Sequence, residues 1–179
     1  MLKKITISGP PGSGKSTTSS LLAQKLKVGH ISAGEMFRRI AKEAELSLEE
    51  LGHRAESDWH IDRELDARML ELLRKRKQGV FDGRLTGYLA HKHQIRSLKI
   101  YLDAHFDVRI QRIMNREKKD RAAVERDIRS RERSERSRYM NIYGVDLTDR
   151  SFFDLVMNSS RLLPEEIVEQ IVRALTTFN

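Results

Sequence analysis

The 179-residue chain contains no cysteine, which excludes a disulfide framework, a thiolate zinc site and a thiol nucleophile. A reducing compartment suits such a composition. No run approaches the roughly 20 consecutive apolar residues that span a bilayer. The start, Met1-Leu2-Lys3-Lys4, carries neither an apolar core nor a small-residue cleavage signal. The expectation is a cytoplasmic protein with no membrane partner. Proline is scarce, at three residues, and there is no repeat, low-complexity tract or linker, so residues 1–179 read as a single domain. The six histidines show no metal-ligand spacing, and His91-Lys92-His93 reads as surface. No Ser-His-Asp set is evident.

Charge is abundant. The formal net charge is +8 and charged residues make up 34% of the chain, which points to anionic partners, either polynucleotides or small phosphates. Residues 116–138 hold ten Lys/Arg against six Asp/Glu, so half of the positive excess lies in one segment. Hydrophobic residues, at 39%, recur at regular spacing throughout, which excludes disorder.

Short β-branched or apolar runs alternate with helical periodicities. Lys4 to Ser8, His30-Ile31, Val80-Phe81, Lys99 to Leu102 and Asp154 to Asn158 read as strands. Helices are expected at 16–26, at 35–45, from Ser47, at 61–77 with Gly79 closing it, at 106–117, at 120–140, and from Pro164. Ser47-Leu48-Glu49-Glu50 has capping-box form, and Pro164-Glu165-Glu166 places proline and acids where a helix begins. The alternation implies an α/β fold of three layers, a parallel sheet of about five strands flanked by helices.

Gly9-Pro10-Pro11-Gly12-Ser13-Gly14-Lys15-Ser16 matches the phosphate-loop pattern G-x-x-x-x-G-K-S/T between a predicted strand and helix. Such a loop converges backbone N–H groups on phosphate oxygens at a positive helix end. Gly9 through Thr17 therefore form the expected nucleoside-triphosphate site, with Lys15 on the β- and γ-phosphates and the Ser16 hydroxyl on Mg²⁺. The motif by itself does not choose among GTPases, ATPases and small-molecule kinases.

Further segments carry a resemblance. Ile31-Ser32-Ala33-Gly34-Glu35-Met36-Phe37-Arg38 resembles the segment that opens the acceptor site in nucleoside monophosphate kinases. Asp82-Gly83-Arg84 looks like their strand-end turn. Together with Ile61-Asp62-Arg63-Glu64-Leu65-Asp66, Arg138 to Asp146 and Asp154 to Ser160, these make nearly the whole chain similar to the short, archaeal-type cytidylate kinases. The resemblance implies ATP as donor, Mg²⁺ as cofactor and CMP or dCMP as acceptor. It implies a P-loop core at 1–32, 79–118 and 151–179, a helical monophosphate-binding insert at 33–78 and an arginine-rich lid at 119–150. Ser32, Gly34, Arg38, Gly83 and Arg84 then hold the acceptor, and Asp82 holds Mg²⁺ through water. Bacterial-type relatives place acids where this chain has Ser32 and Ser130, so those contacts do not transfer.

Transfer of a phosphoryl group favours converging guanidiniums. Arg112 and Arg116 lie one turn apart, and Arg126, Arg129, Arg133 and Arg136 share an arc of the next helix. Arg112, Arg116, Arg126 and Arg133 are expected in catalysis beside Lys15, Arg38 and Arg84, with Arg131 and Arg138 left to a solvated face. Asp62, Arg63 and Asp66 are the expected readers of cytosine, whose amino group a carboxylate accepts; their alternative is a charged helix N-terminus. Trp59 is expected to anchor two short helices.

Two other readings remain open at this point: another acceptor, such as AMP, UMP or a small hydroxyl metabolite, and a nucleic-acid-associated ATPase using the basic segment. Against the latter, acids interleave the basic residues, and the segment's aromatics, Tyr139 and Tyr143, lie at one end, whereas single-strand binders need stacking platforms. The expectation is a monomer with small-molecule substrates and no stable nucleic-acid partner.

Overall fold

The computed structural model describes residues 4–178; the expectation about the leader at Met1–Lys3 lies outside them. Five strands, β1 (Lys4–Ser8), β2 (His30–Ser32), β3 (Gly79–Asp82), β4 (Leu98–Asp103) and β5 (Leu155–Asn158), form one sheet in the order β2-β3-β1-β4-β5. Every pairing is parallel, with Ile7 opposite Asp82 on one side and Ile100 on the other. Strands buried on both faces need continuous apolar runs, and Ile5, Ile7, Val80, Phe81, Ile100 and Leu102 are all fully buried.

Eight helices surround the sheet: α1 (Lys15–Leu26), α2 (Ala33–Glu43), α3 (Leu48–Ser57), α4 (His60–Lys75), α5 (Thr86–Lys92), α6 (Phe106–Glu117), α7 (Arg121–Tyr143) and α8 (Pro164–Thr177). Leu22 of α1 and Ile167, Val168 and Ile171 of α8 pack on one sheet face. Met69 and Leu73 of α4, Leu85 and Leu89 cover the other. A smaller core of Ile110, Ile113, Val124 and Ile128 joins α6 to α7. The capping box at Ser47 and Glu50 and the proline start of α8 both form as expected.

Two local expectations need correction. Gly79 does not close α4, which ends at Lys75 with Arg76 as its cap; it is instead the first residue of β3, opposite Lys4 of β1. The helix α5 is absent from the sequence reading because its seven residues are too short to show a period and begin directly after the Asp82-Gly83-Arg84 turn.

β1 lies beside β3, and the connection from β1 runs to β2 on one side while that from β3 runs to β4 on the other, so a crevice opens at the carboxyl ends of β1 and β3. Ligands of open α/β sheets occupy such switch points. The glycine-rich loop leaves β1 there, and Asp82-Gly83-Arg84 leaves β3 beside it.

Candidate active site

The loop after β1 turns into α1 with Gly14 as a left-handed cap residue at φ 91°. No side chain caps this end, so the first N–H groups of α1 remain available to an anion. Ser16 and Thr17 stand exposed in the first turn. Lys15 Nζ donates to the carbonyl of Pro10 in its own loop at 2.8 Å. Burial and then the nearby Arg84 cation push the Lys15 pKa down to about 7, against a smaller opposing pull from Asp82. Four charged side chains, Arg84, Asp82, Arg131 and Glu135, thus surround the lysine.

Asp82 ends β3 and is buried. Ser32 Oγ donates to its Oδ1 at 3.1 Å, and His30 Nε2 lies 2.6 Å from Oδ2. That hydrogen bond raises the His30 pKa, so the ring is the donor. The sheet register sets this triad, because Ser32 of β2 sits opposite Asp82. The turn at Gly83 is packed on the start of α2: a Cβ there would come 2.7 Å from Ala33 Cβ. Any side chain would push the start of α2 off the strand end.

The arginines divide differently from the expectation. Arg84 Nε approaches Glu135 Oε2 at 2.5 Å, and Arg131 Nε donates to Glu135 Oε1 at 2.7 Å. Arg138 Nη1 donates to Asp62 Oδ2 at 2.5 Å, with both residues buried. Burial alone would raise the Glu135 pKa, but Arg131 and Arg84 overcome it and hold the carboxyl at about 2. Glu135 and Arg138 are therefore the buried charges of α7, and the half-exposed Arg131 reaches over Glu135 toward Lys15, while Arg126 and Arg133 are exposed. Helical geometry explains the difference. Val124 and Ile128 are the buried apolar residues of α7, and positions 131, 135 and 138 continue that stripe at steps of three and four. Charges where the apolar stripe should run were the signal available in the sequence.

The remaining predicted residues spread out. Arg38 is exposed on α2, its guanidinium within reach of Gly34 at the start of that helix. Arg112 Nη1 donates to the Gly12 carbonyl at 3.4 Å and to Ser159 Oγ at 2.9 Å, which puts it against the donor loop. Arg116 points outward and pairs with Glu117. Asp66 accepts from Tyr143 Oη at 2.9 Å, and burial pushes its pKa up to about 7. Arg63 is exposed with its guanidinium 6.0 Å over the Trp59 ring. Trp59 itself is 39% exposed and lines a cavity of about 260 Å³ with Glu56, Arg133, Ser134 and Asn141, so it is no buried anchor. The sequence does not single out His30 or Glu135, and Arg131, expected on a solvated face, reaches Glu135 near Lys15.

A nucleotide-cradling loop facing a cluster of arginines and carboxylates across one sheet crevice defines a P-loop phosphotransferase. A family model described as the cytidylate kinase-like family matches residues 4–161. The chain is similar to the cytidylate kinase of Sulfolobus acidocaldarius, 40% identical over 178 residues, covering 98% of this chain and 96% of the relative. It is 41% identical over 174 residues to that of Halobacterium salinarum, covering 97% and 90%. Among solved structures, shikimate kinases from Bacteroides thetaiotaomicron (TM-score 0.64, 16% identity, 97% and 98% coverage) and Aquifex aeolicus (TM-score 0.58, 19% identity, 97% and 96% coverage) share its fold. The chain belongs to the cytidylate kinase-like family. Among the described residues no helix is long and apolar enough to cross a membrane.

Proposed function

We propose that the protein transfers the γ-phosphoryl group of ATP to CMP or dCMP, giving ADP and CDP or dCDP. The observation that carries this reading is the convergence of Lys15, Arg84, Arg131 and Glu135 at the carboxyl ends of β1 and β3. The family membership and the names of the relatives select cytidylate over the other acceptors, and a nucleic-acid ATPase has nothing comparable in its favour.

In this reading an oxygen of the acceptor α-phosphate attacks the γ-phosphorus while the bond to the β–γ bridging oxygen breaks. No general base is required, because the acceptor oxygen is already anionic. Lys15 leaves the Pro10 carbonyl for the β- and γ-phosphates. Arg84 and Arg131, held by Glu135 in the free protein, turn to phosphate oxygens, and Arg38 approaches from α2. Glu135 thus keeps guanidiniums oriented in a site that would otherwise repel them from one another. The insert at 33–78 supplies the acceptor side and the segment 119–150 the lid, as a proposed division of one domain. Asp62 and Asp66 remain the proposed base readers, each now seen to need a rearrangement of its partner, Arg138 or Tyr143, to do so.

The oxygen donors fit Mg²⁺, which in such sites takes one or two protein groups with phosphates and waters. Ser16 stands exposed at the helix start, and the Asp82 carboxylate lies beside Lys15. These two would hold the ion, Asp82 through water, and when bound it neutralises charge on the transferring phosphates.

The deciding experiment measures ATP consumption and phosphorylated product with CMP, dCMP, UMP and AMP. CMP or dCMP should give the highest kcat/KM; AMP outperforming CMP would sink the assignment. Arg84→Ala should raise the KM for CMP by about 100-fold, the loss of a bidentate phosphate contact, with the KM for ATP changed far less.

Protonation gives a second test. With its pKa near 7 in the free protein, Lys15 is largely neutral at pH 8, and a bound triphosphate restores the charged form. Binding then takes up a proton, and affinity for ATP falls as the pH rises from about 7 to 9. Calorimetry at pH 8 in two buffers of different ionisation enthalpy reads the proton directly. Absence of uptake would mean that the free lysine is already charged.

A further inference from the structure

A loop that offers N–H groups to phosphate must turn its carbonyls away and satisfy them elsewhere. Here four successive carbonyls, those of Pro10 to Ser13, accept from side chains. Pro10 accepts from Lys15, Pro11 from Arg109 Nη1 at 3.1 Å, Gly12 from Arg112 Nη1 and Ser13 from Ser159 Oγ at 2.8 Å. Arg109 differs from the others, because the same Nη1 also donates to Glu132 Oε1 of α7 at 2.6 Å. It is 8% exposed. Its guanidinium lies 5.1 Å over the Phe106 ring, whose environment it shares with Arg129 of α7 at 4.5 Å. Gly12 is pressed directly on this part of α6: a Cβ there, at φ +78°, would come 2.8 Å from the Arg109 carbonyl oxygen and 3.0 Å from its Cα.

We propose that Arg109 is a positioning residue that ties the donor loop to the lid helix. Through the Pro11 carbonyl it holds the cradle open toward phosphate, and through Glu132 it makes the seat of α7 depend on the state of that loop. Glu132 lies one turn before Arg136 and between Arg131 and Glu135, so a shift transmitted to it moves the arc that carries Arg131, Glu135 and Arg138. The lower half of α7 stays anchored by Val124 and Ile128 on α6. Occupancy of the triphosphate site would thereby set the arginines before the acceptor arrives. Because one nitrogen, Nη1, makes both bonds, displacement of the Pro11 carbonyl bears directly on Glu132.

This rests on the reading of the loop as the ATP donor site, and the test separates the two. Full-length wild type, Glu132→Gln and Arg109→Lys are compared by hydrogen exchange of α7 with and without a non-hydrolysable ATP analogue, and by KM for ATP and CMP. Wild type should bind the analogue and gain protection in residues 129–143. Glu132→Gln keeps the Pro11 contact, so its KM for ATP should stay within about twofold while the analogue-induced protection of α7 is lost, since a neutral amide weakens the charge-assisted bond. Arg109→Lys should raise the KM for ATP about tenfold with little change in the KM for CMP, as expected for one lost charge-assisted hydrogen bond on the donor side.

Wild-type protection in Glu132→Gln overturns the coupling, and equal effects of Arg109→Lys on both KM values overturn the positioning role. Should Arg109→Lys fail to fold, Glu132→Gln alone decides. Failure of wild type to bind the analogue overturns the donor-site reading itself.

Discussion

Replacing Lys15 by methionine should lower kcat for CMP phosphorylation by about 10³-fold, in the range of single cationic groups that stabilise transferring phosphates, while the protein stays folded. The structural basis for the second half is that, among the described residues, Lys15 Nζ donates to the Pro10 carbonyl within its own loop and to no distant side chain. Removing it therefore leaves no distant partner stranded. Its charge is moreover disfavoured in the free protein, where burial and Arg84 push the pKa down, so the unliganded fold gains little from that cation. The loss falls on the transition state, where charge accumulates on the γ-phosphoryl oxygens. Steady-state kinetics with a thermal melt on the same sample check both halves. A thermal midpoint that drops with the activity would show that Lys15 is a structural residue, and retention of more than about a tenth of kcat would place the phosphate contact elsewhere in the loop.

Arg138→Met should produce the largest loss of stability of any single lid substitution, with activity lost as well. Asp62 is 1% exposed and pairs with Arg138 at 2.5 Å. Burial already pushes the Asp62 pKa up, and Arg138 is what opposes this. Deleting one partner of a buried ion pair typically costs about 3–5 kcal/mol because the other charge is left desolvated and unpaired. For a domain of this size that is a fall in melting temperature of roughly 10 °C. The companion substitution Asp62→Asn in the Arg138→Met background should recover much of the loss, since the stranded charge is gone. Differential scanning calorimetry of the two singles and the double measures the coupling. An Arg126→Ala control should change neither stability nor kcat, as that side chain is exposed on α7. If Arg126→Ala is the damaging change and Arg138→Met the silent one, the facing arc of α7 has been assigned the wrong way round.

The two buried charge networks also explain how a site dense in arginine remains foldable. Glu135 takes Arg84 and Arg131, and Asp62 takes Arg138. Glu135 and Asp62 thus keep these guanidiniums paired inside the protein rather than leaving bare buried cations. Burying them unpaired would carry the full desolvation penalty.

What the sequence determined alone is whatever depends on local chemistry. Gly9 to Ser16 can be read without a fold because its glycines, its lysine and its helix start act within eight residues. The capping box at Ser47 and the proline start of α8 are legible for the same reason, as is the alternation that dictates a parallel sheet. Tertiary structure decided which charges meet. Arg126 and Arg131 both lie among charged residues, yet the packing of Val124 and Ile128 on α6 rotates α7 so that Arg131 and Glu135 come near Lys15, Arg138 reaches Asp62 and Arg126 faces water. His30 reaches Asp82 across 52 residues because β2 pairs with β3 in that register, and Arg109 reaches Pro11 across 98 because α6 packs beneath the loop. Partners so far apart leave no short-range pattern. Only the register of the sheet and the rotation of one helix bring them within hydrogen-bonding distance.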